Sequence, residues 1–313
     1  MNTVTKSPRK VAAVALETAQ RCLPRYGSRF SRKDFTLPQL FTCLVLKQFF
    51  KTDYRGIVAI LADMPTLQEQ MGLRKVPHFT SLSKAEAKLL TDERVKAMLT
   101  EQIHLFFDLP EAGEGQASHS VVIEQAAIDS TGLQHDRASR YFVKRVNGEI
   151  QKDHEGKAQR QVYTRYSKLG IVVCCGTHFI LSVLGGVGPR PDTAELVPTF
   201  ERLPGNVVIE QLLADAGYDS EPNHEACRER WEMESVIPPL IGRPTDKLPT
   251  GKYRYLMKTD FPEEAYGQRW QVETVNAQAK RHLGSSVAAR NQDARLRELS
   301  LKSLSFNFLR MGA

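Results

Sequence analysis

Cysteine is scarce in this sequence: there are five in 313 residues (Cys22, Cys43, Cys174, Cys175 and Cys227), and no two form a Cys-x-x-Cys pair. An odd number without paired spacing argues against a disulfide framework. Long apolar runs are missing too. No stretch approaches the roughly 20 residues needed to cross a bilayer, so a membrane span is not expected. The opening segment MNTVTKSPRK carries no apolar core of the secretory kind, and a reducing cytoplasm is the expected compartment. Internal repeats and low-complexity tracts are absent as well. What is present is 41% hydrophobic and 25% charged residues, the balance of a soluble chain that buries a real core. The length suits two domains of ordinary size.

An excess of one charge sign is modest: Lys and Arg number 43 against 36 Asp and Glu, a net +7. The distribution says more than the total. Residues 1–110 carry net +7, 111–135 net −4, 136–168 net +5, 169–277 net −6 and 278–313 net +5. Three basic blocks are thus separated by two acidic ones. A polyanionic partner accounts for the first sign, and bound cations account for the second.

The first 110 residues read as helices, with apolar residues at helical spacing in KVAAVALETAQRCL, LPQLFTCLVLKQFF, YRGIVAILADM and ERVKAMLTEQIHLFFDL. Thr36 is the expected cap of the second, and Thr80 or Ser81 that of LSKAEAKLL. Residues 57–90 fit a helix-turn-helix pattern, or equally part of a plain helical bundle. A Gly-, Ala-, Glu- and Ser-rich stretch at 109–120 marks the expected boundary, giving domains at 1–112 and 118–313. Beyond it, VVIEQAAID, LGIVVCCG, FILSVLGGV, NVVIEQLLAD and ESVIPPL read as strands. DTAELVPTFERL reads as a helix capped by Asp192, and helices dominate from about Glu263. The class is α/β with one mixed sheet.

Two aspartates stand at the expected strand ends, Asp129 in AIDSTGL and Asp215 in LLADAGYDS. A single such Asp most often caps a turn. Two leaving different strands in the same sense point to a shared metal site. In AYGQRWQVETVNAQAKRHL, taken as one helix at about 100° per residue with Tyr266 at zero, Arg269, Glu273 and Lys280 fall at about −60°, −20° and −40°. Val272, Val275, Ala279 and Leu283 form a separate apolar face.

Tyr266, two residues, Arg269, three residues, Glu273, six residues and Lys280 resemble the Y-(2)-R-(3)-E-(6)-K signature of bacterial insertion-sequence DDE transposases. AIDSTGL and LLADAGYDS resemble that family's first and second aspartate motifs, and KVPHFTSLSKA resembles part of its helical N-terminal region. The resemblance spans roughly residues 35–310. It implies an RNase H-like catalytic domain behind an all-helical N-terminal domain, with Asp129, Asp215 and Glu273 holding two divalent ions. An all-oxygen site suits Mg²⁺ or Mn²⁺ rather than zinc. It further implies that Arg269, Lys280 and Tyr266 face DNA phosphates or bases, that double-stranded DNA (transposon ends and target) is the partner, and that a homodimer pairs two ends. The location implied is the bacterial cytoplasm, on the nucleoid. Rival readings are an RNase H-like nuclease without strand transfer, and a non-catalytic DNA-binding descendant of a transposase.

Within the basic block 136–168, Arg137, Arg140, Lys144 and Arg145 interleave with Tyr141, Phe142, Tyr163 and Tyr166. Such a segment can bind backbone phosphates and stack on bases, or form a hairpin with a solvated charged face. The segment Lys6–Lys33, with eight basic residues against Glu17, is a second candidate contact. GGVGPRPD lacks the phosphate-loop pattern. Cys174 and Cys175 read as core, the eight histidines lack metal-ligand spacing, and Trp231 and Trp270 read as packing residues.

Overall fold

The computed structural model describes residues 3–30, 32–110, 120–135, 165–240 and 248–313. Six helices come first: α1 (Pro8–Cys22), α2 (Leu37–Phe49), α3 (Tyr54–Ala62), α4 (Pro65–Gln70), α5 (Phe79–Leu89) and α6 (Asp92–Phe106). Their starts are set locally. Ser7 caps α1 ahead of Pro8, Asp53 caps α3, and Thr36 exchanges a capping box with Gln39 at α2, as expected for Thr36. The cap of α5 differs from expectation. His78 fills that position, its ring Nδ1 accepting from the Thr80 amide, because the helix already begins at Phe79. The 57–90 segment also departs from a helix, short turn, helix pattern. Pro65 opens a separate short helix, Gly72 at φ 65° closes it, and eight residues precede α5.

The sheet runs in the order β3-β2-β1-β4-β5, from β1 (Val121–His135), β2 (Tyr166–Cys174), β3 (Ile180–Gly188), β4 (Val207–Leu213) and β5 (Glu234–Val236). β1, β2 and β3 pair antiparallel, while β1, β4 and β5 pair parallel, so the sheet is mixed as expected. Helices flank it, and the fold is RNase H-like. A two-residue strand β6 (Ser286–Val287) pairs with the far end of β1. β1 is longer than its apolar run: it continues past Asp129 to His135, because β2 goes on supplying antiparallel partners out to Leu133.

After β3 come a 3₁₀ turn (Asp192–Ala194) and α7 (Leu196–Phe200); after β4 come a 3₁₀ turn (Ala216–Tyr218) and α8 (Glu221–Glu225). The chain then forms α9 (Lys252–Thr259), α10 (Glu263–Tyr266), α11 (Trp270–Leu283) and α12 (Gln292–Met311). One hydrophobic core joins the N-terminal helices to the sheet through α12. Phe308 meets Phe41 of α2 edge-on at 6.0 Å between ring centroids. Asn307 on α12 bonds both Ile180 backbone groups of β3, and Gln102 of α6 donates to the Leu304 carbonyl. The second core lies under the other face, around Ile128, Phe179, Leu212 and Tyr218. The expected boundary residues 111–119 lie outside the described set. Cys43, Cys174, Cys175 and Cys227 are buried, and burial pushes the Cys43, Cys175 and Cys227 thiols up to about 12.

Asp219 fastens α9 to the second aspartate motif. Its carboxylate, fully buried, accepts both nitrogens of the Arg254 fork and the Leu240 amide, with His224 Nε2 3.7 Å away. Burial alone would raise its pKa, but the nearby His224 ring and the bonds from Arg254 and Leu240 outweigh it and hold the group at about 2. The folded value lies below the ordinary ~3.9 of an unfolded Asp, so this carboxylate stabilises the fold above that range. The contribution fades as pH falls from about 4 towards about 2. Asp219→Asn is expected to lower stability at neutral pH by about 2 kcal/mol and to shrink that acid loss. Urea unfolding at pH 7 and pH 3 checks both.

Candidate active site

β1 and β4 run parallel, and their last paired residues are Ala127 and Leu213. Asp129 and Asp215 each follow two residues later, so the shared register carries the two carboxylates to the same level of the sheet. Asp215 caps the 3₁₀ turn, its Oδ1 accepting from the Gly217 amide at 2.8 Å. Asp129 is partly buried. Burial pushes its pKa up to about 6, with the Asp215 charge adding to the rise. The Ser130 amide, Asn276 and Arg269 act in the opposite sense. A buried carboxylate beside a second one favours a neighbouring cation. That environment, with oxygen donors only, fits a hard divalent ion.

Glu273 and Arg269 come from the start of α11, which packs on β1 and β2. The expected single helix from Tyr266 onward is interrupted. α10 ends at Tyr266, and residues 267–269 turn more tightly, with Gln268 N bonding Ala265 O and Arg269 N bonding Tyr266 O. Arg269 nevertheless reaches Glu273 in an ion pair four residues on. Burial works against the Arg269 charge, and the Glu273 hydrogen bond together with the Tyr266, Glu273 and Asp129 charges outweighs it, so its pKa is raised. Arg269 also feels Asp129, while Tyr266 feels Asp215 and Glu273, so these five side chains share one electrostatic neighbourhood. Tyr266 packs edge-on against Phe261 at 5.1 Å, and burial raises its hydroxyl pKa. Lys280 lies seven residues beyond Glu273, about 10 Å further along the α11 axis. Arg137, Arg140, Lys144 and Arg145 lie outside the described residues.

Glu273 is paired with Arg269 rather than turned onto the aspartates. Among the described residues, accordingly, no three His, Cys, Asp or Glu side chains close into a metal-ligand group. The arrangement is an aspartate pair with a carboxylate–guanidinium pair beside it.

Several groups at the site escaped the sequence reading. Asn276, buried on α11, donates to Asp129 Oδ2 at 3.0 Å. Its signal was a lone amide among Val272, Val275, Ala279 and Leu283. Gln271 Oε1 meets the His178 ring, tying the first turn of α11 to the β2–β3 connection. Asp192 does not cap a helix: a 3₁₀ turn intervenes before α7, and its carboxylate is taken by other partners. Asp192 Oδ1 accepts from Ser130 Oγ and from Lys168 Nζ, each at 2.7 Å. Trp270 is 53% exposed, so it does not pack as expected.

The chain belongs to the Transposase DDE domain family, whose sequence profile matches residues 122–308. It is therefore a DDE transposase by family. No curated protein matches the chain. Among solved structures it is similar to a piggyBac transposase synaptic complex with hairpin DNA, at 11% identity and a TM-score of 0.46, covering 97% of this chain and 71% of that one. Among the described residues no helix is long and apolar enough to cross a membrane.

Proposed function

We propose that this chain is the transposase of a bacterial insertion sequence, of the kind that carries the Y-(2)-R-(3)-E-(6)-K signature. It binds the terminal inverted repeats of its element as a homodimer, cleaves the ends by metal-dependent hydrolysis and joins the freed 3′-hydroxyls to target DNA. The observation that carries this reading is the common level of Asp129 and Asp215 on parallel strands, with Arg269 and Glu273 in the same electrostatic field.

Asp129, Asp215 and Glu273 are the residues to hold two Mg²⁺ or Mn²⁺ ions, with Glu273 exchanging Arg269 for a cation. Two such ions supply activation of the attacking oxygen and stabilisation of the leaving oxygen in phosphoryl transfer. The chain's remaining task is positioning and charge neutralisation. Arg269, released from Glu273, offers its planar fork to two phosphate oxygens, and Lys280 adds a point charge further along the strand. Tyr266 lines the same edge. Asn276 orients the Asp129 carboxylate. Arg137, Arg140, Lys144 and Arg145 are proposed as backbone contacts, and the domain division at 1–112 and 118–313 assigns end recognition to the helical part.

The test uses the purified full chain, DNA carrying the element's inverted repeats, and Mg²⁺. Cut ends and joined products, both lost on chelation, are expected. Cut ends that never join would favour a nuclease, and binding with neither product would favour a non-catalytic descendant.

A further inference from the structure

Ser130 follows Asp129 on β1, and Gly217 sits two residues beyond Asp215 in the turn after β4. One side chain lies between these two motifs. Asp192, on the connection that leaves β3, accepts the Ser130 hydroxyl at Oδ1. Its Oδ2 lies on the side of Gly217 where a side chain would stand: a Cβ placed there would be 3.1 Å from Asp192 Oδ2 and 2.8 Å from Asp215 Oδ1. Asp192 and Asp215 therefore flank the same glycine. A side chain there would have to push one carboxylate aside, which is a physical reason for the residue to be glycine.

Asp192 is itself held. The Lys168 ammonium of β2, only 5% exposed, donates to Asp192 Oδ1 at 2.7 Å and to the Arg190 carbonyl at 2.6 Å, and pairs with Glu195 Oε2 at 3.1 Å. Two hydrogen bonds and a buried ion pair thus hold the ammonium from three directions. Its position is over-determined, and Asp192 inherits that fixity. The Tyr218 ring is buried beside the group, with Asp192 and Asp129 both acting on its hydroxyl. Four separate segments (β1, β2, the β3 exit and the turn after β4) thus converge on one carboxylate that the proposed cleavage reaction does not itself require.

We propose that Asp192, locked by Lys168, is a positioning residue that keeps Asp129 and Asp215 at the separation a divalent ion needs. This rests on the metal-site reading of those two aspartates given above. The bond to Ser130 ties Asp192 to the β1 side, and the space that only a glycine leaves at 217 lets its carboxylate lie beside Asp215 on the β4 side. Partners that orient metal ligands in this way commonly change metal affinity by about 10- to 100-fold when replaced.

Mn²⁺ binding to the metal-free full-length protein, followed by the loss of the free-ion electron paramagnetic resonance signal, reads this without turnover. Asp192→Asn keeps an oxygen acceptor for Lys168 and Ser130 but turns an amide towards Gly217 and Asp215. Ser130→Ala removes the tie to β1 and leaves the Asp192 charge in place. Both variants are expected to weaken Mn²⁺ binding by about 10-fold or more, Ser130→Ala with an unfolding midpoint close to wild type and Asp192→Asn with a lowered one, because it weakens the buried pair with Lys168. Folded variants that bind Mn²⁺ as the wild type does would overturn this inference alone, leaving Asp129 and Asp215 as ligands. A wild type whose Mn²⁺ binding is absent, or is unaffected by Asp129→Ala, would overturn the metal-site reading and this inference with it.

Discussion

Alanine at Asp129, at Asp215 or at Glu273 is expected to slow strand cleavage at the element's ends by at least about 10³-fold. A bound metal contributes several kcal/mol of charge stabilisation in phosphoryl transfer, and each 1.36 kcal/mol is tenfold in rate. The three positions differ in what they do to the fold. Asp129 is partly buried next to a like charge, an arrangement that opposes ionisation and so works against stability. Asp129→Asn is therefore expected to abolish cleavage while holding or raising the unfolding midpoint. Asp215 also caps a turn, so Asp215→Ala is expected to cost about 1 kcal/mol of stability besides activity. Glu273 is more than half exposed and bonded to Arg269, and its loss leaves stability nearly unchanged. Activity that tracked stability across the three variants would contradict this assignment.

The second large effect lies far from the carboxylates. Phe308 is fully buried on α12, against Phe41 of α2, in the core that runs from the N-terminal helices to the sheet. Phe308→Ala is expected to cost about 3–5 kcal/mol. Thermal unfolding followed by circular dichroism is expected to show one transition, lowered by about 5–8 °C. A shift of a degree or two would show that α12 does not bind the two parts together.

What could be read from the sequence was set by local chemistry. Thr36 and Gln39 are three residues apart and cap α2 whatever surrounds them. The apolar runs of β1 and β4 announce two strands that lead to aspartates, and the parallel register seen in the fold brings Asp129 and Asp215 to one level. What remained hidden depends on partners distant in the chain. α12 carries Glu298, Lys302 and Asn307, residues that ordinarily face water. They are buried because Glu298 accepts from the Ala288 and Ala289 amides, Lys302 donates to the Leu283 carbonyl, and Asn307 pairs with Ile180. Asp192 looked like a helix cap because a cap needs only its neighbours. Its partners, Ser130 and Lys168, lie 62 and 24 residues away. Asn276 was masked by the apolar face it shares, and Tyr266 was placed on a helix that the tight turn at 267–269 interrupts.

The central claim is that one carboxylate site performs both cutting and joining. A DNA end already cut to expose its 3′-hydroxyl isolates the joining step. With Mg²⁺ and target DNA, the wild-type protein is expected to join that end, and Asp129→Ala, Asp215→Ala and Glu273→Ala are each expected to yield no joined product. Joining by any of the three at the wild-type rate would contradict the account.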